Sequence, residues 1–287
     1  MLIAQLTDIH IGFERGDPRE YNVRRLERVI ADMASAAHRP DLVLLTGDLT
    51  EHGDAESFAT LAAALAPLGL PLWPIPGNHD DRAALVAAFP QVALTAGGFL
   101  HYAIELDGLR ILMLDTFEPG RHGGAFCEAR AAWLAAELAA YPATPTLIAM
   151  HHPPFATGIE WMDAAPGEPW IARFAAAISG HAQIVGVTCG HLHRSIATHW
   201  QGLTVAICPS TAPPVALDLT PIDPERPDGR ALITSEPAGY GLHHWDGARL
   251  TSHWIAVAET HVLAGFDDKL QPMVREMMAE RQPGRSV

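Results

Sequence analysis

The chain has little of what would send a protein to a membrane, a nucleic acid or an oxidising compartment. Its three cysteines, Cys127, Cys189 and Cys208, are odd in number and form no C-x-x-C pair. Neither a disulfide framework nor a thiolate metal site is expected from them. Cys189 and Cys208 lie in apolar runs, as small buried side chains do. No run approaches the roughly 18 apolar residues that cross a bilayer. The opening MLIAQLTDIH has no basic n-region, and its apolar stretch is too short for a signal peptide. Positive charge is scarce as well: 19 Lys and Arg stand against 33 Asp and Glu, a formal net charge of −14. Gripping a nucleic acid polymer rests on Lys and Arg meeting phosphates, and docking on anionic lipid rests on the same residues. Both partners are excluded on this ground, and a soluble, cytoplasmic protein is expected.

What the chain does hold is histidine, 16 in 287 residues, and histidine is the commonest metal ligand. With 48% hydrophobic and 18% charged residues, the chain is long enough to bury a sizeable core. Short apolar runs alternate with helix-like segments. LIAQLTD, DLVLLTGDL and LPLWPIPG read as three strands, the last with prolines that suit an edge. Between them, Pro18 to about His38 carries Val23, Leu26, Val29, Ile30 and Met33 at helical spacing, and Asp54 caps a helix to Ala66. A short helix over Arg82–Phe89 follows. The second half repeats the style, with strands LRILMLDT, PTLIAMH and QIVGVTCGH and helices over Glu128–Tyr141 and Trp170–Ile178.

After that the texture changes. LTVAICPS, GYGLHHWDG and RLTSHWIAV read as strands, the last two joined at Asp246-Gly247 as a hairpin. Residues 213–239, rich in proline and acid, form a long loop, and Asp267–Arg281 has helical character. Such alternation predicts an α/β layered domain with mainly parallel pairing. Residues 1–260 form that domain, and residues 261–287 form a C-terminal helical appendage.

In parallel sheets, ligands bind beyond the carboxyl ends of the strands. Asp8 and His10 follow the first strand, Asp48 the second, Asn78 and His79 the third. His151 and His152 follow PTLIAM, and His191 and His193 follow QIVGVTC. Alternate residues of an extended segment point the same way, so the last pair can converge. Any one of these residues has an ordinary explanation: Asp8 or Asp48 could cap a helix, and Asn78 could turn the chain beside Gly77. Their joint occurrence at five strand ends points to metal. Carboxylate, imidazole and amide oxygen suit manganese, iron, zinc or cobalt. The donors are too many for one four-coordinate ion. Two divalent ions, roughly 3.5–4 Å apart, can hold an attacking hydroxide and clamp the oxygens of an in-line displacement.

The blocks Asp8-x-His10, Gly47-Asp48, Gly77-Asn78-His79-Asp80, His151 and Gly190-His191-x-His193 resemble the calcineurin-like metallophosphoesterases. That resemblance implies a four-layer α/β/β/α sandwich with a dinuclear site. One metal would take Asp8, His10, Asp48 and His193; the other would take Asp48, Asn78, His151 and His191, with Asp48 the bridge. His79 would steady the phosphate or protonate the leaving group, with Asp80 either orienting it or serving the structure, and Asn78, His79 and His193 would meet substrate. His152 is expected to shape the turn. GNHDDR and CPSTAPPVALDL are similar to bacterial class III cyclic nucleotide phosphodiesterases and glycerophosphodiesterases, and the tyrosine ligand of the larger purple acid phosphatases is absent. The activity implied is hydrolysis of a small anionic phosphodiester by a metal-bound hydroxide. A broad phosphomonoesterase, a nucleotide pyrophosphatase and a noncatalytic scaffold are the alternatives. Phe155–Trp170 could overhang the substrate, with Trp161 or Trp170 stacking on a base or simply packing. A homodimer or higher homo-oligomer is the expected assembly, with the hairpin near His243–Trp254 and the C-terminal segment as its edges.

Overall fold

Eleven strands and six helices follow one another, nine of the strands and all the helices where the sequence predicts them, in a computed structural model that describes residues 1–165 and 167–281. The first half contains β1 (Leu2–Leu6), α1 (Tyr21–Ser35), β2 (Leu42–Thr46), α2 (Ala55–Leu65), β3 (Leu72–Ile75) and α3 (Arg82–Ala88). Then come β4 (Tyr102–Leu106), β5 (Leu109–Leu114), α4 (Glu128–Ala140), β6 (Thr146–Met150), α5 (Pro169–Ile178) and β7 (Ile184–Cys189). β8 (Ile196–Trp200), β9 (Leu203–Ile207), β10 (Ala238–Trp245), β11 (Leu250–Val257) and α6 (Gln271–Glu280) complete the series. Asp54 caps α2 by accepting from the Ser57 amide at 2.9 Å, which satisfies one of the free donors of a helix start. Asp81 does the same for α3 through the Ala84 amide.

Two mixed sheets form. One has the order β11-β10-β1-β2-β3, the other β4-β5-β6-β7-β9-β8. Pairing is parallel at β1-β2-β3 and at β5-β6-β7-β9. It is antiparallel where β10, β11, β4 and β8 are added. Five of the nine pairings are parallel, so the expected parallel frame is present, with four antiparallel pairings added to it. β4 and β8 escape the sequence reading because each is five residues long and partly exposed, which leaves no sustained apolar run.

The layers follow from the strand period of two. In β2, Leu42 and Leu44 face one way and Val43 and Leu45 the other. In β5, Leu109, Ile111 and Met113 face one way and Leu112 and Leu114 the other. Val43 and Leu45 join Leu26, Val29 and Phe58 of α1 and α2. Leu112 and Leu114 join Leu134 and Phe174 of α4 and α5. Leu44, Ile75, Ile111, Met113 and Leu147 meet between the sheets. Helices, sheet, sheet and helices are thus stacked around three apolar layers.

The inter-sheet layer carries one buried polar cluster near the carboxyl ends. Gln5 donates to the Thr46 hydroxyl at 2.7 Å and accepts from Thr188 at 2.6 Å and from His243 at 3.0 Å. His243 meets Ser252 on its other nitrogen, so each of these buried groups has a partner.

The long loop expected over 213–239 runs over residues 208–237, from the end of β9 at Ile207 to the start of β10 at Ala238. Asp246-Gly247 does turn the β10–β11 hairpin, with Gly247 at φ +96°. By chain contacts Met1–Val257 is one compact unit. The segment from Ala258 is another, containing α6, which opens with a proline in its first turn and has no buried residue. Among the described residues, no helix is long and apolar enough to cross a membrane.

Candidate metal centre

The parallel strands deliver their carboxyl ends to one edge, and the loops that leave them are stitched together. Asp8 N–H donates to the Gly47 carbonyl at 3.0 Å and His10 N–H to the Asp48 carbonyl at 3.0 Å. The second sheet is tied in through Asp8, whose carboxylate accepts from the His191 amide at 3.0 Å. Gly190 N–H reaches the His151 carbonyl at 3.0 Å. A side chain at Gly190 would collide with the Thr7 hydroxyl and the Asp8 carboxylate. Only glycine lets these loops approach so closely.

Six non-glycine residues among those described have left-handed backbone, and five are Asp8, His10, Asp48, His191 and His193, with φ from +49° to +74°. Each such position costs on the order of 1 kcal/mol, so strain is concentrated where the donors are. It also corrects the extended reading of His191-Leu192-His193. The segment is a turn with His191 and His193 left-handed and Leu192 buried in the apolar layer beneath α4 and α5. His193 faces Asp8 and His10, whereas His191 faces His151 and His152.

The imidazoles are held by their Nδ1 atoms. His10 donates to Glu51 at 2.7 Å, His151 to the Thr46 carbonyl at 2.8 Å and His193 to the Pro213 carbonyl at 2.9 Å. With Nδ1 carrying the proton, a neutral ring presents a lone pair at Nε2. Those lone pairs converge: His10 and His193 Nε2 are 3.2 Å apart. His193 Nε2 is 3.5 Å from Asp8, and His151 Nε2 is 3.2 Å from Asp48 and 4.0 Å from Asp8. Acceptors facing acceptors at this range repel one another unless positive charge lies among them. Asn78 Oδ1 and His191 Nδ1 are buried with no partner at all.

Electrostatics agree with that reading. Burial alone would lower the pKa of His151, but Asp48, and then Asp8, push it up to about 9. Asp48 is held well below the usual carboxylate range against its burial, chiefly by His151 and His10. In the protein alone a proton thus stands between His151 and Asp48, where a cation would compete with it. Burial, together with the neighbouring His151, brings His191 down to about 3, an unprotonated donor. The donor set fits divalent cations of borderline hardness. Four tight groupings of possible ligands lie here, among them Asp8 with His10 and His193, and Asp8 with Asp48 and His151.

The remaining residues sort themselves by partner. His79 donates from Nδ1 to the Glu51 carbonyl at 3.0 Å, leaving Nε2 for the cavity. Asp80 does not orient it. That carboxylate accepts from Leu49, Thr50 and Gly77, tying the loop after β2 to the loop after β3. His152 uses both nitrogens, on the Thr116 hydroxyl and the His122 carbonyl, and shapes the turn as expected. Glu51 and His122 went unnoticed in the sequence. Glu51 had a signal, three residues beyond Asp48 in TGDLTEHG; His122 had none.

All this opens into a cavity of about 780 Å³ whose further walls include Phe13, Tyr21, Phe155, Trp161 and Ile233. Trp161 is exposed at its rim, while Trp170 is packed into the α5 core. Acidic side chains also line it, Glu14, Glu20 and Asp163 besides those of the cage, and no described lining residue is Lys or Arg.

Known proteins resemble the chain as this geometry suggests. The family profile described as calcineurin-like phosphoesterase matches residues 1–195. A probable glycerophosphodiester phosphodiesterase, GpdQ, of Arcobacter nitrofigilis is 32% identical over 258 residues, 88% of this chain and 92% of the relative. A probable cyclic nucleotide phosphodiesterase of Rhodopseudomonas palustris is 34% identical over 263 residues, 88% and 91% of the two chains. Among solved structures, GAP50, the anchor in the inner membrane complex of Plasmodium, matches in fold alone, with a TM-score of 0.58 over 92% of this chain and 87% of that one at 11% identity. Strand ends, cage and relatives agree, and the chain belongs to the calcineurin-like phosphoesterase family.

Proposed function

We propose that this protein is a phosphodiesterase dependent on two divalent metal ions, hydrolysing small diesters such as cyclic nucleotides or glycerophosphodiesters. The observation that carries it is the convergence of lone pairs, with two imidazole Nε2 atoms 3.2 Å apart beside Asp8 and Asp48. Asp8, His10, Asp48 and His193 would hold one ion, and Asp48, Asn78, His151 and His191 the other, Asp48 being shared by the two sets. Bound there, the ions supply Lewis-acid stabilisation of phosphoryl oxygens and acidify water. Glu51 and the Thr46 and Pro213 carbonyls keep the three rings aimed. His79, with Nδ1 fixed on the Glu51 carbonyl, has Nε2 left to steady the phosphoryl group or, when that nitrogen also carries a proton, to hand it to the departing ester oxygen. Manganese, iron, zinc and cobalt all suit these donors.

The cavity supports a diester over a monoester or pyrophosphate. A diester carries one negative charge at neutral pH, whereas a monoester carries nearly two and a pyrophosphate more. With no Lys or Arg among the described lining residues and several carboxylates present, anionic charge beyond what the two ions balance finds no counter-charge there. The same deficit supports a small substrate rather than a nucleic acid polymer. The names of the two bacterial relatives agree with this choice. We assign the chemistry to residues 1–260, with the remainder an appendage, in a cytoplasmic homo-oligomer.

The test is turnover by metal-reconstituted protein of a cyclic nucleotide, a glycerophosphodiester, bis(p-nitrophenyl) phosphate and p-nitrophenyl phosphate. Diesters should be hydrolysed faster than the monoester, and Asp48→Ala should lose about a thousandfold or more in kcat/KM. Full activity after metal removal, or a preference for the monoester, would sink the assignment.

A further inference from the structure

One side chain at the cavity has no task in the cage described above. His122 lies on the loop that leaves β5, a strand end that supplies no residue to the metal cage. Its ring lines the cavity, and its centroid is 6.1 Å from that of His79.

The loop that carries it is firmly held. Arg82 pairs with Asp115 through two hydrogen bonds, at 2.5 and 2.9 Å, and donates to the Phe117 carbonyl at 2.6 Å. Arg130, almost wholly buried, donates to the same carbonyl at 3.0 Å and to that of Ala125. Ala125 N–H closes the loop base on the Thr116 carbonyl at 2.9 Å. The buried His152 ring donates to the carbonyl of His122 itself at 3.0 Å. Gly124 lies so close that a side chain there would run into His152 and Trp170. The backbone of His122 is therefore fixed, while its imidazole is exposed to the cavity.

Charge gives that imidazole its significance. No described residue lining the cavity is Lys or Arg, and both nitrogens of His152 are engaged. Outside the metal cage, His79 and His122 are lining imidazoles with a ring nitrogen left to donate to an anion. An oxygen accepting from both rings at about 2.8–3.0 Å suits a centroid separation of this size.

We propose, building on the phosphodiesterase reading, that His122 is a second catalytic imidazole. It donates an N–H hydrogen bond to the phosphoryl group, on the side that faces the β5 loop and opposite the metal cage. His79 and His122 then grip the phosphoryl group as a pair.

The test measures binding of inorganic phosphate to manganese-loaded protein by calorimetry, alongside kcat and KM for bis(p-nitrophenyl) phosphate. His122→Ala should weaken phosphate binding and lower kcat/KM by about tenfold to about a hundredfold, as loss of a charge-assisted hydrogen bond does. His122→Gln, which keeps a neutral donor, should recover part of both. Metal content should match wild type in both variants, and His199→Ala, on the exposed face of β8, should change nothing. Phosphate affinity in His122→Ala within twofold of wild type overturns the proposal, whatever the turnover. Lower phosphate affinity in a protein that hydrolyses no diester upholds the contact and removes the phosphodiesterase reading. Wild type that binds no phosphate at all removes both.

Discussion

The loops at the carboxyl ends of the strands and the layer between the two sheets are made by the same strands, yet they obey opposite rules. Between the sheets, Leu44, Ile75, Ile111 and Met113 are fully buried in apolar surroundings, and the backbone is ordinary extended strand. A few residues further along, the same strands end in left-handed residues, converging acceptors and buried polar atoms without partners. The first region stabilises, at roughly 25 cal/mol for each Å² of apolar surface removed from water. The second is costly, and it survives because the first over-determines where each strand ends. Function here is carried by a part of the molecule that costs stability where the layer beneath supplies it.

That contrast can be broken in three places. The largest effect is expected at Leu44→Ala, which deletes a wholly buried side chain from the inter-sheet layer. About 2–5 kcal/mol of unfolding free energy should be lost in urea titration, while kcat/KM per folded molecule stays near wild type. A large fall in kcat/KM at unchanged stability would mean that the two regions are not separable.

Next comes pH. Burial, with His253 nearby, holds His243 down to about 4, below the ordinary histidine value of about 6.5 that the unfolded chain shows. Between these values the unfolded chain binds the extra proton, so stability from this group is full above pH 6.5 and lost as pH falls to 4. The loss is on the order of 3 kcal/mol. The stability difference between wild type and His243→Gln, measured by urea titration at pH 7, 6 and 5, should shrink with falling pH. A constant difference would place the proton uptake elsewhere.

The smallest effect is at Gln201, the one left-handed non-glycine residue described outside the cage, in the turn between β8 and β9. Gln201→Gly should stabilise by about 0.5 kcal/mol, read as a slightly higher thermal midpoint. Strain in a plain turn can be relieved in this way. The equivalent change at Asp8 or His193 would remove a donor.

Much of the fold was legible because strands buried on both faces read as continuous apolar runs, as in Leu42–Leu45 and Ile111–Leu114. The Asp54 cap and the Asp246-Gly247 turn were legible because their chemistry is local. Donor positions were legible for a related reason: a residue just beyond a parallel strand lies at the carboxyl edge wherever its neighbours lie. Roles that rest on distant partners were not. Asp80 reads as a partner for the adjacent His79, but it accepts from Leu49 and Thr50, about thirty residues back. His122 sits among glycines with no pattern around it, and only the fold brings it beside His79.

By itself, then, the amino-acid order determined the strands, their buried faces and the inventory of donors left at their ends. It determined these through side-chain period and apolar content, which act over a few residues. The tertiary structure alone decided how those ends meet. The Asp8 carboxylate accepts from the amide of His191 across 183 residues, and rings aimed by carbonyls elsewhere in the chain turn their lone pairs on one another. Left-handed residues and crowded acceptors are unfavourable locally, so no short stretch would adopt them. They persist because two packed sheets leave the loops no other course.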